Sequence, residues 1–510
     1  MTNNNNAPAE KQGAENQTKD TDFSTNTQIL DSYLSDIEKE VKEKESILKE
    51  RRKEEVEGKS YQSVLVDLLY QIKPIDYREK AGIEGSDKVT RRQQIVISID
   101  VILETAIANN WGLCTKNDFI YIFNAKYWQA IEANDFKTFL GLAALKMGIP
   151  KLEAKHHQFK EELYKQFLSS SNLPTPELKE QTLINLQNGT FEISSTGVQL
   201  LREYKQEDFI KYQLPFMYDP QAKCPMFLKF LNRVVPDTDC QMVLAEYLGY
   251  IFTRGLKLEK VLILFGTGAN GKSVFFEIVN ALLGSENVSN FSLQSLTKVD
   301  SYQRALLINK LVNYASEING KLESSVFKLL ASGEPVEARR IYGDPFIMTV
   351  YAKLIFNANE LPRDIEFTNA FFRRFLIVPF SQTIPEEEQD PELAKRIIEN
   401  ELSGIFNWVL EGLQRILAQR KFTPSATIAE QNKNYRKAAD SVALFVEDEG
   451  YQPSDGYPNI YLKTLYIDYK EFCSQNGYKA CSIKTTSDRL RNSGFIIEKN
   501  RDGRIVFAKK

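Results

Sequence analysis

Short, almost wholly apolar runs recur in the second half of the chain, at residues 261–265, 310–315, 353–358 and 376–380, and each gives way to a polar or glycine-bearing turn. Such runs predict buried β-strands, because a strand covered on both faces has no polar side to alternate. Between them, residues 326–334 carry helical spacing, and residues 336–342 and 346–348 flank a Gly-Asp-Pro cluster, the pattern of a β-hairpin. Upstream, residues 94–99 (Gln-Ile-Val-Ile-Ser-Ile) and 119–123 read as strands and 136–147 as a helix. Residues 184–191 read as strand, turn and strand, and 246–250 as part of a helix. Downstream, residues 401–410 present a broad apolar face expected to pack on the central core. A polar helix follows at 425–437, then an apolar one from 442 to 446 and a Pro- and Gly-bearing linker at 452–458. The last stretch predicts helices at 462–476 and 484–492 and a two-stranded wing at 495–498 and 505–507, which together suggest a winged helix.

Residues 1–27 have too few large apolar side chains to repay the entropy of ordering and are expected to be a tail. Leu30, Leu34, Ile37 and Val41 then recur at helical spacing before an alternating Lys/Glu run, so residues 28–90 are expected to hold a solvated helix or short coiled coil. The remaining expected divisions are an α+β region at 91–182, a mixed region at 183–250, an α/β core at 251–385, a helical lid at 386–450 and the winged helix at 459–510.

Composition removes several function classes. The 510 residues are 42% hydrophobic, enough for real cores, and the formal net charge of −3 means that any nucleic-acid contact must come from local patches. The five cysteines form no Cys-x-x-Cys pair and the two histidines are neighbours, which argues against a zinc site or disulfide scaffold. No apolar run approaches the roughly 18 residues of a membrane span, and the first residues lack a signal-like pattern, so a cytoplasmic protein is expected. Asp100 and Glu104 stand at helical spacing without a second acidic cluster, which argues against a two-metal polymerising centre.

The strand at 261–265 runs into Gly266-Thr267-Gly268-Ala269-Asn270-Gly271-Lys272-Ser273, a match to G-x-x-x-x-G-K-[ST], and then into an apolar helix start. Glycines let backbone N–H groups curl round phosphates, Lys272 can reach the β/γ oxygens, and the Ser273 hydroxyl can hold Mg²⁺. A helix N-terminus aimed at the same place favours a bound triphosphate, so ATP and Mg²⁺ are the expected cofactors. Strand 310–315 ends in Ser316-Glu317, where a carboxylate can polarise water or hold the metal through water. Strand 353–358 delivers Asn359, an amide placed to contact a γ-phosphate. Arg373 and Arg374 precede the strand at 376–380 and suit the charge that spreads over a transferring phosphoryl group. In the hairpin, Arg339, Arg340 and Tyr342 offer cations and an aromatic face to a single strand, or belong to an ordinary hairpin with solvated arginines. In the last module, Lys484, Arg489, Arg491, Arg501 and Arg504 give a local basic excess suited to DNA, although a winged helix can equally be a protein-docking module.

In this order, the glycine loop, Glu317, the arginine hairpin, Asn359 and Arg373-Arg374 resemble the superfamily 3 helicases, and within them the phage and plasmid primase-helicase family, to which the poxvirus primase-helicase is related. The resemblance runs from about residue 183 to 446 and more weakly to the end. It implies a P-loop, AAA+-like core assembled as a homohexameric ring that hydrolyses ATP between subunits while unwinding single-stranded and forked DNA during replication. Lys272, Ser273, Glu317, Asn359 and Arg374 stand at matching motif positions. Arg374 is preferred to Arg373 because the viral pattern places the finger arginine directly before an aromatic residue and a strand. The hairpin tip has Gly343 where the family often has a basic residue, and no primase region is legible, which implies a separate primase. An ATP-switched origin-binding initiator and an RNA-remodelling ATPase are the alternatives.

Overall fold

A computed structural model describes residues 58–510 except 85, 117–118, 172–180, 317, 319–321, 342 and 363–364. The expected tail, the charged helix before residue 58, Glu317 and Tyr342 therefore lie outside the described residues. Tyr61–Lys510 is one unit of the fold.

Helix α1 (Tyr61–Gln71) packs with α2 (Arg91–Ala108), and α2 corrects the expected strand at 94–99. Its start is fixed by a capping box, in which the Gln93 N–H donates to Thr90 Oγ1 at 3.3 Å and the Thr90 N–H donates to Gln93 Oε1 at 2.9 Å. Ile95, Ile99, Ile102 and Ala106 are buried along one side, so the helical stripe overrides the β-preference of the isoleucines. Asp100 and Glu104 are both exposed on this helix. An antiparallel meander follows, β1 (Leu113–Lys116), β2 (Phe119–Phe123) and β3 (Trp128–Ile131), with α3 (Ala133–Met147) and α4 (His157–Ser170) closing a core of Ile99, Phe136, Leu140, Phe159 and Phe167.

A second antiparallel meander, β4 (Thr182–Leu186), β5 (Gly189–Ile193) and β6 (Gln199–Arg202), leads to α5 (Pro225–Val234) and α6 (Thr238–Tyr250). Its Ile184, Leu186 and Phe191 share a core with Leu262 and Leu264 of the central sheet, so no separate core ends at residue 250.

The central sheet is wholly parallel. Its strands, β7 (Val261–Phe265), β8 (Val288–Ser289), β9 (Val312–Ala315), β12 (Lys353–Ala358) and β13 (Phe375–Pro379), stand in the order β13-β7-β12-β9-β8. The period of two sorts side chains between faces. Leu262 and Leu264 meet Phe275, Ile278 and Leu282 of α7 (Lys272–Leu283), while Val261 and Ile263 meet Phe327 and Leu330 of α8 (Ser324–Ser332). Between α8 and β12 the chain makes the expected hairpin, β10 (Val336–Arg339) paired with β11 (Pro345–Met348).

Helix α9 (Leu393–Gln419) crosses α6 so closely that a Cβ on Gly412 would sit 2.3 Å from the Ala245 carbonyl carbon. Beside that crossing the buried Glu246 carboxylate accepts from Arg415 Nε at 3.2 Å and from the Thr423 N–H at 2.8 Å. Helix α10 (Ala426–Ala438) packs on β13. The next helix, α11 (Ser441–Asp448), buries Val442 and Phe445 in the core of the C-terminal module, so that module begins before residue 459. The expected linker at 452–458 is also partly sheet: β14 (Gln452–Pro453) pairs with the last strand. The rest of the module is β15 (Asn459–Tyr461), α12 (Leu462–Gln475), α13 (Ile483–Asn492), β16 (Ile496–Asn500) and β17 (Gly503–Lys509), two helices followed by a hairpin.

Candidate functional site

In a parallel sheet, the loops beyond the carboxyl ends of the strands share one edge, and that edge is where such sheets hold ligands. The loop 266–271 leaves β7 there. The Gly266 N–H donates to the Ala358 carbonyl at 3.0 Å, tying the loop to the end of β12, and Asn270 Nδ2 donates to the Phe380 carbonyl at 2.8 Å, tying it to the end of β13. A Cβ at Gly266 would meet Asn270 Nδ2 at 2.2 Å and the Phe380 oxygen at 2.3 Å, so only glycine fits. Gly268 and Gly271 take φ of 140° and 85°, the left-handed side that bends the loop back on itself. Helix α7 starts at Lys272 with no side-chain cap, leaving its first amides to another acceptor.

Lys272 is 7% exposed, and its Nζ donates to the Gly266 carbonyl at 2.6 Å and to Asn270 Oδ1 at 3.0 Å. Burial pushes its pKa below the ordinary lysine value. The ammonium therefore rests over the loop on two neutral oxygens. Ser273 is exposed on the first turn of the helix. Asn359 is exposed and follows Ala358 directly, which brings its backbone within one residue of the loop. In the next strand Ala315 pairs with Phe356, so β9 ends at this same edge.

Arg373 and Arg374 lie at the opposite edge. The Arg374 carbonyl accepts from the Val261 N–H at 2.8 Å, at the amino end of β7, while the loop begins at its carboxyl end. A strand of that length separates them by about 17 Å. The Arg374 side chain is 8% exposed and turned into its own subunit, where Nη2 donates to Ser332 Oγ at 2.9 Å and stands 3.5 Å from Glu259 Oε2. Arg374, the arginine preferred as the finger, is therefore buried by its own chain. The Arg373 side chain is 55% exposed and pairs with the same Glu259 carboxylate at 2.5 Å, so of the two guanidinium groups that of Arg373 is the one open to solvent.

The hairpin alternates as its sequence predicts, with Val336 and Ala338 buried and Glu337 and Arg339 exposed. Arg339 Nε donates to the Gly343 carbonyl at 3.0 Å and holds the tip. Arg340 is not presented to solvent in the same way. Its guanidinium carbon lies 3.4 Å from the centroid of the Phe119 ring in β2, and Phe346 packs edge-on against that ring at 6.5 Å.

Residues 264–374 match a family model described as a family of unknown function, and residues 101–236 match one described as D5 N terminal like. A "Putative helicase" of Invertebrate iridescent virus 3 is 22% identical over 330 residues, which cover 57% of this chain and 34% of that protein. A "Putative primase" of African swine fever virus (isolate Pig/Kenya/KEN-50/1950) is 24% identical over 352 residues, 62% of this chain and 36% of that protein. The chain is thus similar to viral proteins that carry the names putative helicase and putative primase. It spans about a third of the length of these curated relatives. Among solved structures, the apo C-terminal region of NrS-1 (305–718) aligns over 81% of this chain and 98% of its own at 14% identity, with a TM-score of 0.43.

The match from residue 101 takes in the second half of α2 and continues through α4, so the likeness to known families begins well before residue 183. No motif chemistry marks that segment, which is why the residues gave it no role. In the C-terminal module, Lys484, Arg491, Arg501 and Arg504 are exposed. Arg489 is not: it pairs with Asp440 at 3.4 Å and lies 4.2 Å from the Phe367 centroid, so it joins the module to the chain before it and is withdrawn as a DNA contact. All five cysteines are free, no metal-binding cluster occurs among the described residues, and no described helix is long and apolar enough to cross a membrane.

Proposed function

We propose that this chain is the ATP-hydrolysing motor part of a replicative DNA helicase, a P-loop, AAA+-like enzyme of the superfamily 3 kind working as a homohexameric ring. The observation that carries the reading is the loop 266–273: left-handed glycines, an uncapped helix start and a half-collapsed Lys272, all at the ligand-holding edge of a parallel sheet. These features fit a nucleoside triphosphate with Mg²⁺. The loop amides and the α7 N-terminus would take the phosphate oxygens, Lys272 would exchange two neutral oxygens for anionic ones, and Ser273 would hold the metal. Mg²⁺ supplies charge neutralisation on the phosphates when bound.

Glu317 would orient and deprotonate the attacking water and Asn359 would register the γ-phosphate. Arg373, and Arg374 only after leaving Ser332 and Glu259, would supply a cation to the neighbouring subunit's nucleotide, since about 17 Å of strand keeps both from their own loop. Arg339, Arg340 and Tyr342 would meet single-stranded DNA. The two helices and hairpin after residue 461 support a winged helix reading duplex or origin DNA through Lys484, Arg491, Arg501 and Arg504. A separate primase, and action in the cytoplasm on a viral, phage or plasmid element, complete the reading.

Strand displacement on a forked DNA substrate tests it. ATP- and Mg²⁺-dependent opening is expected, with little stimulation by RNA. Tight ATP-dependent binding without opening would instead favour an origin-binding initiator, and stimulation by RNA alone an RNA-remodelling ATPase.

A further inference from the structure

A cleft lies at the amino-terminal edge of the central sheet, where Lys257 precedes β7, Lys310 precedes β9 and Lys353 opens β12. Lys211, from the segment after β6, and Arg254, just beyond α6, complete a lining with five cationic side chains and no carboxylate among the described residues. The cavity volume is about 100 Å³, with solvent beyond its mouth. Carboxylates come near at its margins, Glu286 beside Lys310 and Glu334 beside Tyr351.

Two of the cations rest on neutral or aromatic neighbours. Lys211 Nζ donates to the Ile308 carbonyl at 3.1 Å and to Asn309 Oδ1 at 2.8 Å, both neutral, and lies 5.6 Å from the Tyr121 centroid. Lys353 stands 4.1 Å from the Tyr250 centroid. Arg254 and Lys257 are exposed at the mouth. Burial above all, and then the charges of Arg254 and Lys116, push the Lys211 pKa down to about 7, so this side chain gains its full charge only when an anion joins it or the pH falls. Such a set of cations converging on one concavity, rimmed by Tyr351 and the base of the hairpin at Thr349 and Val350, has the chemistry to hold phosphate oxygens.

We propose that this cleft is a second phosphate-binding site, separate from the loop 266–273 by the length of the sheet, and that it takes the phosphates of a single strand or of a free polyphosphate. The loop lies at the carboxyl ends of the strands and the cleft at their amino ends, so the two are distinct places on the sheet. The proposal stands whether or not the chain unwinds DNA, because it concerns binding alone.

The test uses the full chain with Arg254→Ala/Lys257→Ala, side chains at the mouth that carry no part of the hydrolytic site. Binding of a fluorescent 20-nucleotide oligo-dT is measured across salt, without nucleotide. Loss of two phosphate contacts would lower the salt slope by about 1.4, since each single-strand contact contributes about 0.7, with affinity falling about tenfold at low salt. In parallel, inorganic tripolyphosphate is titrated into Lys272→Ala with and without the double change, so that the loop does not compete. A loss confined to oligo-dT identifies the backbone of a strand; a loss confined to tripolyphosphate identifies a free polyphosphate; loss in both supports a site shared by the two. Unchanged binding in both arms, at an unchanged melting temperature, overturns the proposal. If the double variant melts early, Lys257→Glu replaces it, with the same readings deciding.

Discussion

Arg340 lies over the face of Phe119, its guanidinium carbon 3.4 Å from the ring centroid. The contact joins the hairpin between α8 and β12 to β2, more than 200 residues earlier in the chain, and with the Phe119–Phe346 pair it braces the hairpin from one side. A cation over an aromatic face contributes about 0.5–2 kcal/mol. Of the two, Arg339 is thus the side chain open to solvent, while Arg340 would have to leave its ring to meet a ligand.

Phe119→Leu should therefore loosen the hairpin without unfolding it. We expect faster amide exchange across residues 336–348, unchanged exchange in β7, and a loss of about 1 kcal/mol in stability. Unchanged exchange in the hairpin would mean that the stack holds nothing.

Lys272→Ala should abolish nucleotide hydrolysis, at least about 100-fold, by removing the point charge expected on the β/γ-phosphates. The melting temperature should barely move, because the ammonium is buried on two neutral oxygens and burial already disfavours its charge. Retained turnover would remove the motor reading.

The two arginines before β13 should separate by effect. Arg374→Ala breaks buried hydrogen bonds to Ser332 and should cost about 2–3 kcal/mol, since bonds from a charged donor are worth about 1.5–3 kcal/mol. Arg373→Ala removes one largely exposed pair and should cost less than about 1 kcal/mol, yet lose hydrolysis in assembled rings. Mixed before assembly, Arg373→Ala and Lys272→Ala should regain activity at interfaces that pair an intact arginine with an intact lysine. No recovery in rings shown to be mixed would confine Arg373 to its own subunit.

Gly412→Ala should destabilise the chain by about 1–3 kcal/mol, the usual range for an extra carbon forced into a packed interior. The new Cβ would meet backbone rather than a side chain that can turn aside, at 2.3 Å from the Ala245 carbonyl carbon. Chemical denaturation reads the change, and an unaltered midpoint would mean that α9 shifts freely on α6.

Lys211 gives a pH test. Its pKa falls from 10.5 to about 7 on folding, so the folded state carries the full charge penalty below pH 7 and sheds it as pH rises towards 10.5. Stability should therefore move in favour of the wild type over Lys211→Met between pH 7 and 9, by at most about 1.4 kcal/mol per pH unit. The groups that set the shift besides burial are Arg254 and Lys116, with Tyr121 and Asn309 in contact. A pH-independent difference would show that Lys211 keeps its charge throughout.

The residues by themselves determined the strands at 261–265 and 353–358, a third expected at 376–380 and found one residue earlier at Phe375–Pro379, and the glycine loop that follows the first of them. A strand buried on both faces has no choice but to be apolar, and a backbone curled towards phosphates has no choice but glycine. Local order also determined the hairpin and the helix-helix-hairpin of the last module, because turn chemistry is written in neighbouring residues. What the tertiary structure alone decided is where charges from distant segments fall. The stretch 94–99 is β-branched, yet Thr90 and the buried stripe of α2 make it helix. Arg374 turns inward because Ser332 and Glu259 are folded beside it, Arg489 because Asp440 and Phe367 are, and Arg340 because Phe119 is. Each is an arginine on a surface-like stretch of sequence, and a guanidinium takes its role from the carboxylate, hydroxyl or ring that packing brings to it, which periodicity along the chain does not encode.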